Sequence, residues 1–182
     1  MMRLNDMSKK QVAVRSILLC GVCVALLSWT GCSNGSNGEP IVTAPTGDDM
    51  GRTPWVVDIE EITVENTDFR IARWTGEYLQ MTLMSLKPGE EIGLELHGDI
   101  DQFIRIEQGQ GRVVMGKSRA ALTFDKEVEG DWAILIPAGY WHNVINTGDV
   151  DLKLYSIYAP PEHPAGTVHA TFADSEADHH HH

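Results

Sequence analysis

The sequence predicts one all-β domain preceded by a leader and a tether. From Trp55 onward, short runs rich in Val, Ile, Leu, Thr and aromatic residues follow one another. Clusters of turn-forming residues such as Gly, Asn, Asp and Pro separate these runs every roughly 10 to 15 residues. No long stretch has a convincing helical period. This combination is typical of an antiparallel sandwich or barrel.

Residues 1–32 have the pattern of an export signal. A basic segment precedes the apolar run Ile17–Ser28, which at 12 residues is short for a bilayer-spanning helix. The Gly31-Cys32 pair after this run resembles the end of a bacterial lipoprotein signal, in which Cys32 is lipidated. Trp29 departs from that pattern, because leucine is usual there. We expect an exported, membrane-anchored lipoprotein of the bacterial cell envelope; the alternatives are an ordinary secretory signal and an uncleaved anchor.

Composition constrains the chain beyond the leader. Residues 33–54 are rich in Gly, Ser, Asn, Asp, Pro and Thr and are predicted to form a flexible tether. All three cysteines lie in the leader, so disulfides and thiol chemistry are not expected in the domain. Subtracting four basic and one acidic leader residues from 14 and 26 leaves a net charge of −15. Such an acidic surface disfavours nucleic-acid binding.

The domain is predicted to occupy residues 55–160. Its expected strands are 55–59, 69–73, 78–86, 92–97, 102–107, 111–115, 120–124, 132–136, 142–146 and 151–158.

Residues 161–182 are predicted to form a C-terminal arm and tail. Prolines at and after position 160 cannot continue a central strand, so the arm is expected to pack as a surface loop. His163 and His169 within it are not expected to contact a metal. The terminal His179–His182 run is either an expression tag or a natural end and is set aside.

Two motifs place polar residues on predicted strands. They are Gly89-x5-Glu95-x-His97-x4-Gln102-x6-Gly109 and Pro137-x-Gly139-x2-His142-x3-Asn146. Glu95 and His97 are two residues apart, so they share one face of a strand. Gln102 shares a face with isoleucines 104 and 106, whereas Arg105 and Glu107 lie on the other. These alternations predict that the polar motif residues point inward.

The inward residues are predicted to bind a metal through Glu95, His97, Gln102 and His142. Two imidazoles, a carboxylate and an amide oxygen suit a divalent first-row metal, with one or two positions left for water or substrate. The alternative is a barrel without metal. In that case His142 is a satisfied core histidine, His97 is exposed beside a turn, and Glu95 pairs with a cation, although the inward positions provide none nearby.

On these motifs residues 78–158 resemble the cupin superfamily, which implies a single cupin-type jelly-roll β-barrel. The positions that match are Gly89, His97, Gly109, Pro137, Gly139, His142 and Asn146. Two positions depart from the family: Glu95 replaces a histidine and Gln102 replaces a glutamate. The site keeps one negative charge and loses one imidazole. Two histidines and one carboxylate favour Fe or Mn, while Zn or Ni remains an alternative.

The resemblance implies a mononuclear metal-binding protein, and an enzyme acting on a small oxygen-rich molecule such as a sugar or organic acid. Isomerase-like and dioxygenase-like chemistry both fit, and the chain resembles mannose-6-phosphate-isomerase-like cupins. A phosphosugar is disfavoured because Arg105 points outward. Tyr158 is predicted to be catalytic, with its hydroxyl acting as acid, base or donor in the cavity; the alternative is a rim tyrosine.

Two other functions stay open on the sequence alone. The first is a non-catalytic module that binds a small molecule or a metal while tethered to a membrane through Cys32. The second is a structural cupin that has lost its site. The expected partners are a small-molecule ligand and the membrane, and the resemblance also implies a possible homodimer.

Overall fold

The structure is a computed structural model that describes residues 49–179, without the side chain of His179. The predictions for the leader, for lipidated Cys32 and for residues 33–48 of the tether lie outside this range. Among the residues it does describe, no helix is both long enough and apolar enough to cross a membrane.

Ten strands and two short helices make up the described part of the chain. In order they are α1 (Ile59–Glu65), β1 (Arg70–Thr75), β2 (Gln80–Leu86), β3 (Glu95–Leu96), β4 (Asp101–Gln108), β5 (Gln110–Gly116), β6 (Phe124–Glu129), β7 (Ala133–Ile136), β8 (Trp141–Asn146), β9 (Leu152–Ala159), β10 (Val168–His169) and α2 (Phe172–His179).

The strands form two antiparallel sheets. One has six strands in the order β10-β1-β2-β9-β4-β7, and the other has four in the order β3-β8-β5-β6. Apolar side chains of both sheets meet in one core, which includes Met84, Ile104, Val113, Val144 and Leu154. The predicted all-β jelly-roll fold is therefore confirmed, as two packed sheets rather than one continuous ring of strands.

Side-chain alternation in β4 follows the prediction. Gln102 is 4% exposed, and the isoleucines at 104 and 106 are also buried. Arg105 points away from the core, where its Nε lies 3.0 Å from Glu107 and its Nη2 lies 2.7 Å from Asp131. The period of two along this strand thus delivers Gln102 to the interior.

The predicted strand at 55–59 is wrong. Residues 55–58 have no regular structure, and α1 begins at Ile59. Asp58 caps this helix, because its carboxylate accepts a hydrogen bond from the backbone N–H of Glu61 at 3.1 Å. An aspartate followed three residues later by a glutamate is a signature of a helix start, and here it outweighs the β-branched residues.

The predicted strand at 120–124 is misplaced. The strand in this region is β6, Phe124–Glu129, which pairs with β5. Its side chains are exposed except for Val128, so its sequence is dominated by charged residues. A strand with one buried residue carries little hydrophobic alternation, and its pairing depends on β5 instead.

The expected surface loop in the C-terminal arm is wrong for its later part, which forms a short strand and a helix. After the prolines, β10 pairs with β1, placing His169 opposite Arg70. Helix α2 follows, and the ring of Phe172 packs edge-on against Phe69, with 5.4 Å between centroids. The arm therefore supplies the edge strand of the six-stranded sheet next to β1.

Candidate metal centre

The two motifs meet at the pairing of β3 with β8. Glu95 lies directly opposite His142 in this pair. The turn before β8 is tied to the first motif, because the N–H of Gly139 donates to the carbonyl of His97 at 2.7 Å. Gly139 has a φ of 75°, a conformation that favours glycine. The glycine of one motif thereby fixes the histidine of the other.

Glu95, His97 and His142 form a compact cluster. Oε1 of Glu95 lies 3.2 Å from Nε2 of His142 and 3.3 Å from Nε2 of His97. One ligand atom from each residue lies within 4.8 Å of the others. His142 is fully buried and the side chain of Glu95 is 14% exposed. These distances are short enough for one ion to contact all three residues.

The second nitrogen of each histidine is held by an oxygen. Nδ1 of His142 lies 3.0 Å from the carbonyl of Tyr140, and Nδ1 of His97 lies 3.4 Å from Oε1 of Glu162. These acceptors assign the proton of the neutral ring to Nδ1, which leaves the lone pair on Nε2 facing Glu95. Histidines that bind metals are commonly oriented in this way.

Charges in the cluster are strongly coupled. Burial raises the pKa of Glu95, but hydrogen bonds from His142 and His97 outweigh it and hold that pKa well below its usual value. Burial lowers the pKa of His97, while Glu162 and Glu95 more than compensate and raise it to about 9. Without a metal, protonated His97 therefore lies between two carboxylates at neutral pH.

The contact between His97 and Glu95 is an imperfect hydrogen bond. Their charged atoms are 3.3 Å apart, yet Nε2 of His97 has no acceptor in good hydrogen-bond geometry among residues 49–178. The two charges still attract each other at this distance, and this attraction contributes to the low pKa of Glu95. A buried ring nitrogen in this position is free to bind a metal.

Gln102 lies in the interior, as predicted. It pairs with Tyr158 across the β4–β9 ladder, and its Nε2 donates to Oγ of Ser156 at 2.8 Å. Its Oε1 is buried and has no hydrogen-bond partner in the described chain. The amide oxygen is therefore available, and its role as a fourth metal ligand stays a prediction.

Tyr158 is buried beside the histidines. It is 1% exposed, and its ring lies edge-on to that of His97 with 5.8 Å between centroids. Burial raises the pKa of Tyr158 to about 12. The hydroxyl therefore keeps its proton at neutral pH and can donate a hydrogen bond. Its catalytic role stays a prediction.

Sequence reasoning missed the part that the C-terminal arm plays. Besides placing Glu162 against His97, the arm packs the ring of His163 edge-on against Tyr158, with 5.3 Å between centroids. Gln80 fixes this segment, donating to the carbonyl of His163 at 2.8 Å and accepting from its N–H at 2.9 Å. The sequence signal for this contact was Gln80 itself, a glutamine at an inward position of an apolar strand.

The sequence analysis also did not predict a buried cation near Glu95. Arg70 in β1 pairs with Met84 in β2, is 1% exposed, and is close enough for its charge to help lower the pKa of Glu95. The expectation that no cation lies near Glu95 is therefore wrong. The parity argument failed because it covered the motif strands, whereas Arg70 comes from another strand of the six-stranded sheet.

Comparison with known proteins agrees with this fold and site. The cupin domain family matches residues 82–158. The chain is 60% identical over 129 residues to YrkC of Bacillus subtilis, covering 71% of this chain and 69% of YrkC. It is 44% identical over 115 residues to L612 of Acanthamoeba polyphaga mimivirus, covering 63% and 70% of the two chains.

A crystal structure extends the match to three dimensions. BH2720 from Bacillus halodurans is 58% identical and superposes with a TM-score of 0.71, over 71% of this chain and 98% of BH2720. Sequence, motif spacing and architecture thus agree. This chain belongs to the cupin family.

Proposed function

We propose that this chain is an exported mononuclear metalloprotein that acts on a small oxygen-rich molecule, such as a sugar or an organic acid. The observation that carries the proposal is the convergence of three ligand atoms, from Glu95, His97 and His142, within 4.8 Å of one another. Each histidine also has its other nitrogen next to an oxygen acceptor.

The residues present fit a divalent transition metal. Glu95, His97 and His142 would hold it, and Oε1 of Gln102 would be the fourth ligand. Two nitrogens and one carboxylate oxygen favour Fe or Mn, and Zn or Ni would also accept this set. The poorly paired Nε2 of His97 supports the fit, because a buried polar atom without a partner is unfavourable. When bound, such a metal supplies Lewis-acid or oxygen-dependent chemistry.

The chain's own residues would bind and orient the molecule. Protonated Tyr158 would donate a hydrogen bond to one of its oxygens, in either an isomerase-like or a dioxygenase-like reaction. Glu162 would hold the proton at Nδ1 of His97, which keeps Nε2 turned toward the ligand position. The buried walls of the barrel would exclude water.

A non-catalytic binding module is the second candidate. It is favoured because none of the following site groups, whose pKa values are shifted, is suited to act as a general base at neutral pH. Glu95 has its pKa held well below the usual value, and burial lowers the pKa of His163 to about 3. The pKa of Tyr158, at about 12, is far above neutral pH. Efficient proton transfer needs a pKa nearer the working pH.

Metal analysis tests the site. The full chain would carry alanines at 179–182, so that the terminal histidines cannot bind metal, and its metal content would be measured by mass spectrometry. We expect about one equivalent in this parent chain, and loss of it in Glu95→Ala and His142→Ala with circular dichroism unchanged. His169→Ala is the matched control, because this buried histidine pairs with Asp178 instead. A metal-free parent chain would refute the proposal.

Two further measurements test whether the chain is an enzyme and whether it is exported and anchored. Turnover on a panel of sugars, uronates and keto acids indicates an enzyme, whereas binding without turnover indicates the second candidate. Export and anchoring are supported by the leader sequence and are tested by lipid labelling in a bacterial host. Labelling is expected in the full chain and not in Cys32→Ala; equal labelling of both would exclude Cys32 as the anchor.

A further inference from the structure

We propose that Arg70 forms an anion subsite inside the barrel and binds a carboxylate group of the small molecule. This inference rests on the proposed function only for the part of the ligand that would contact the metal. The contact with Arg70 can be tested independently of the metal.

Arg70 is buried with unused hydrogen-bond donors. The residue is 1% exposed, and its Nη1 donates to Oγ of Ser175 in α2 at 3.0 Å. Nε and Nη2 are both buried and have no acceptor within the described residues. A permanently charged guanidinium in the interior is strongly unfavourable unless it is paired. Among the described residues, Arg70 therefore has no carboxylate in salt-bridge contact.

The two unused donors have the geometry of a carboxylate receptor. Nε–H and one N–H of Nη2 lie on the same edge of the guanidinium plane and point in parallel. This pair matches the two oxygens of a carboxylate. Ser175 holds the opposite corner of the guanidinium and so fixes the direction of this edge.

Arg70 lies on the inner face of the six-stranded sheet. It pairs with Met84 in β2, and two residues before Met84 the inner face carries Thr82, which pairs with Ser156. Oγ1 of Thr82 is also buried and lacks a partner among residues 49–178. The charge of Arg70 helps to lower the pKa of both Glu95 and Tyr158, as expected for a cation that shares their interior.

The number and arrangement of free donors select a carboxylate over a phosphate. Lys153, although buried, faces the other side of β9 and binds the carbonyl of Asn66 and the hydroxyl of Ser85. The two free donors of Arg70 match the two oxygens of a carboxylate, whereas a phosphate would bury a third oxygen with no donor from this residue. The ligand class is therefore a small carboxylic acid whose second oxygen function, a carbonyl or hydroxyl, faces the metal centre.

The test uses the full chain with alanines at 179–182, once loaded with Mn²⁺ and once stripped of metal with a chelator. Binding of pyruvate, glycolate, methyl pyruvate and inorganic phosphate would be measured by titration calorimetry. At least one of the two acids is expected to bind, with methyl pyruvate and phosphate at least tenfold weaker. Arg70→Gln is expected to weaken acid binding by about 10- to 100-fold, the usual effect of losing charged hydrogen bonds in a buried site. Arg105→Gln is the matched control and is expected to bind as the parent does.

Two milder variants keep the test decisive if Arg70→Gln does not fold. Arg70→Lys keeps the charge and loses the paired donors, so it is expected to bind the acid about tenfold more weakly. Ser175→Ala keeps Arg70 and releases its anchor, with a severalfold loss expected. Unchanged affinity in both variants would overturn the proposal, and so would failure of both acids to bind the parent, or equal binding of pyruvate and its methyl ester.

The same titrations separate this inference from the proposed function. If the chain takes up no metal but still binds the acid, the Arg70 subsite is supported and the metal centre is refuted. Metal binding without acid binding supports the metal centre and refutes the subsite.

Discussion

Replacing Glu162 by glutamine removes the negative charge that faces Nδ1 of His97 and preserves the shape of the side chain. Oε1 of Glu162 lies 3.4 Å from that nitrogen, and its side chain is 31% exposed. Loss of an outer partner of a metal-binding histidine weakens metal affinity by about 10- to 100-fold. A long and partly solvated contact belongs at the lower end, so we expect about tenfold, or about 1.4 kcal/mol.

The effect should depend on pH in a defined direction. At pH 7 His97 is protonated in the metal-free chain, because its pKa is raised to about 9, and a metal must displace that proton. Glu162→Gln lowers this pKa, so weaker competition from the proton offsets part of the loss at pH 7. Above pH 9 the proton no longer competes, and the full tenfold loss is expected.

Competition of the chain with a chelating dye for Mn²⁺, measured at pH 7 and pH 9.5, gives both affinities. Glu60→Gln in α1 is the control, because it removes one charge from an exposed residue on another element. An unchanged affinity at pH 9.5, or an equal loss in both variants, would refute the assignment of Glu162 as the partner of His97.

Two further predictions concern stability. Since the pKa of His97 is raised from about 6.5 to about 9 in the folded chain, its protonated ring stabilises the metal-free fold fully below pH 6.5, and this contribution is lost as pH rises through 9. Urea unfolding should therefore show a free energy on the order of 3 kcal/mol lower at pH 9.5 than at pH 6, and His97→Gln should remove most of this difference; equal pH dependence of both chains would contradict the coupling. Asn146 donates to the carbonyls of Leu86 and Val150 at 2.8 and 2.9 Å and is 2% exposed. Asn146→Ala should lower the free energy of unfolding by about 2–4 kcal/mol, because it leaves buried carbonyls unpaired, while exposed Thr147→Ala should change it little; similar values for the two would argue against a structural role for Asn146.

The motif strands were predictable because local rules govern them. A period of two turns Glu95 and His97 to one face, and the match of Gly139 and His142 to the second motif placed that histidine on a later strand. Pairing of β3 with β8 then brings both motifs to one point. The start of α1 was missed although Asp58 offered a capping signal, and β6 was misplaced because it has almost no buried face.

The sequence alone determined the family, the all-β fold and the three residues that cluster at the candidate site, because motif spacing and strand parity act over a few residues. Only the tertiary structure decided what surrounds that cluster. The backbone of His163 binds Gln80 from 83 residues away, and Ser175 binds Arg70 from 105 residues away. Such contacts depend on the order and register of strands in a sheet, which no local pattern encodes. Two motifs therefore predicted the cluster, while its outer carboxylate and its buried cation became evident only from the packing of the arm and the six-stranded sheet.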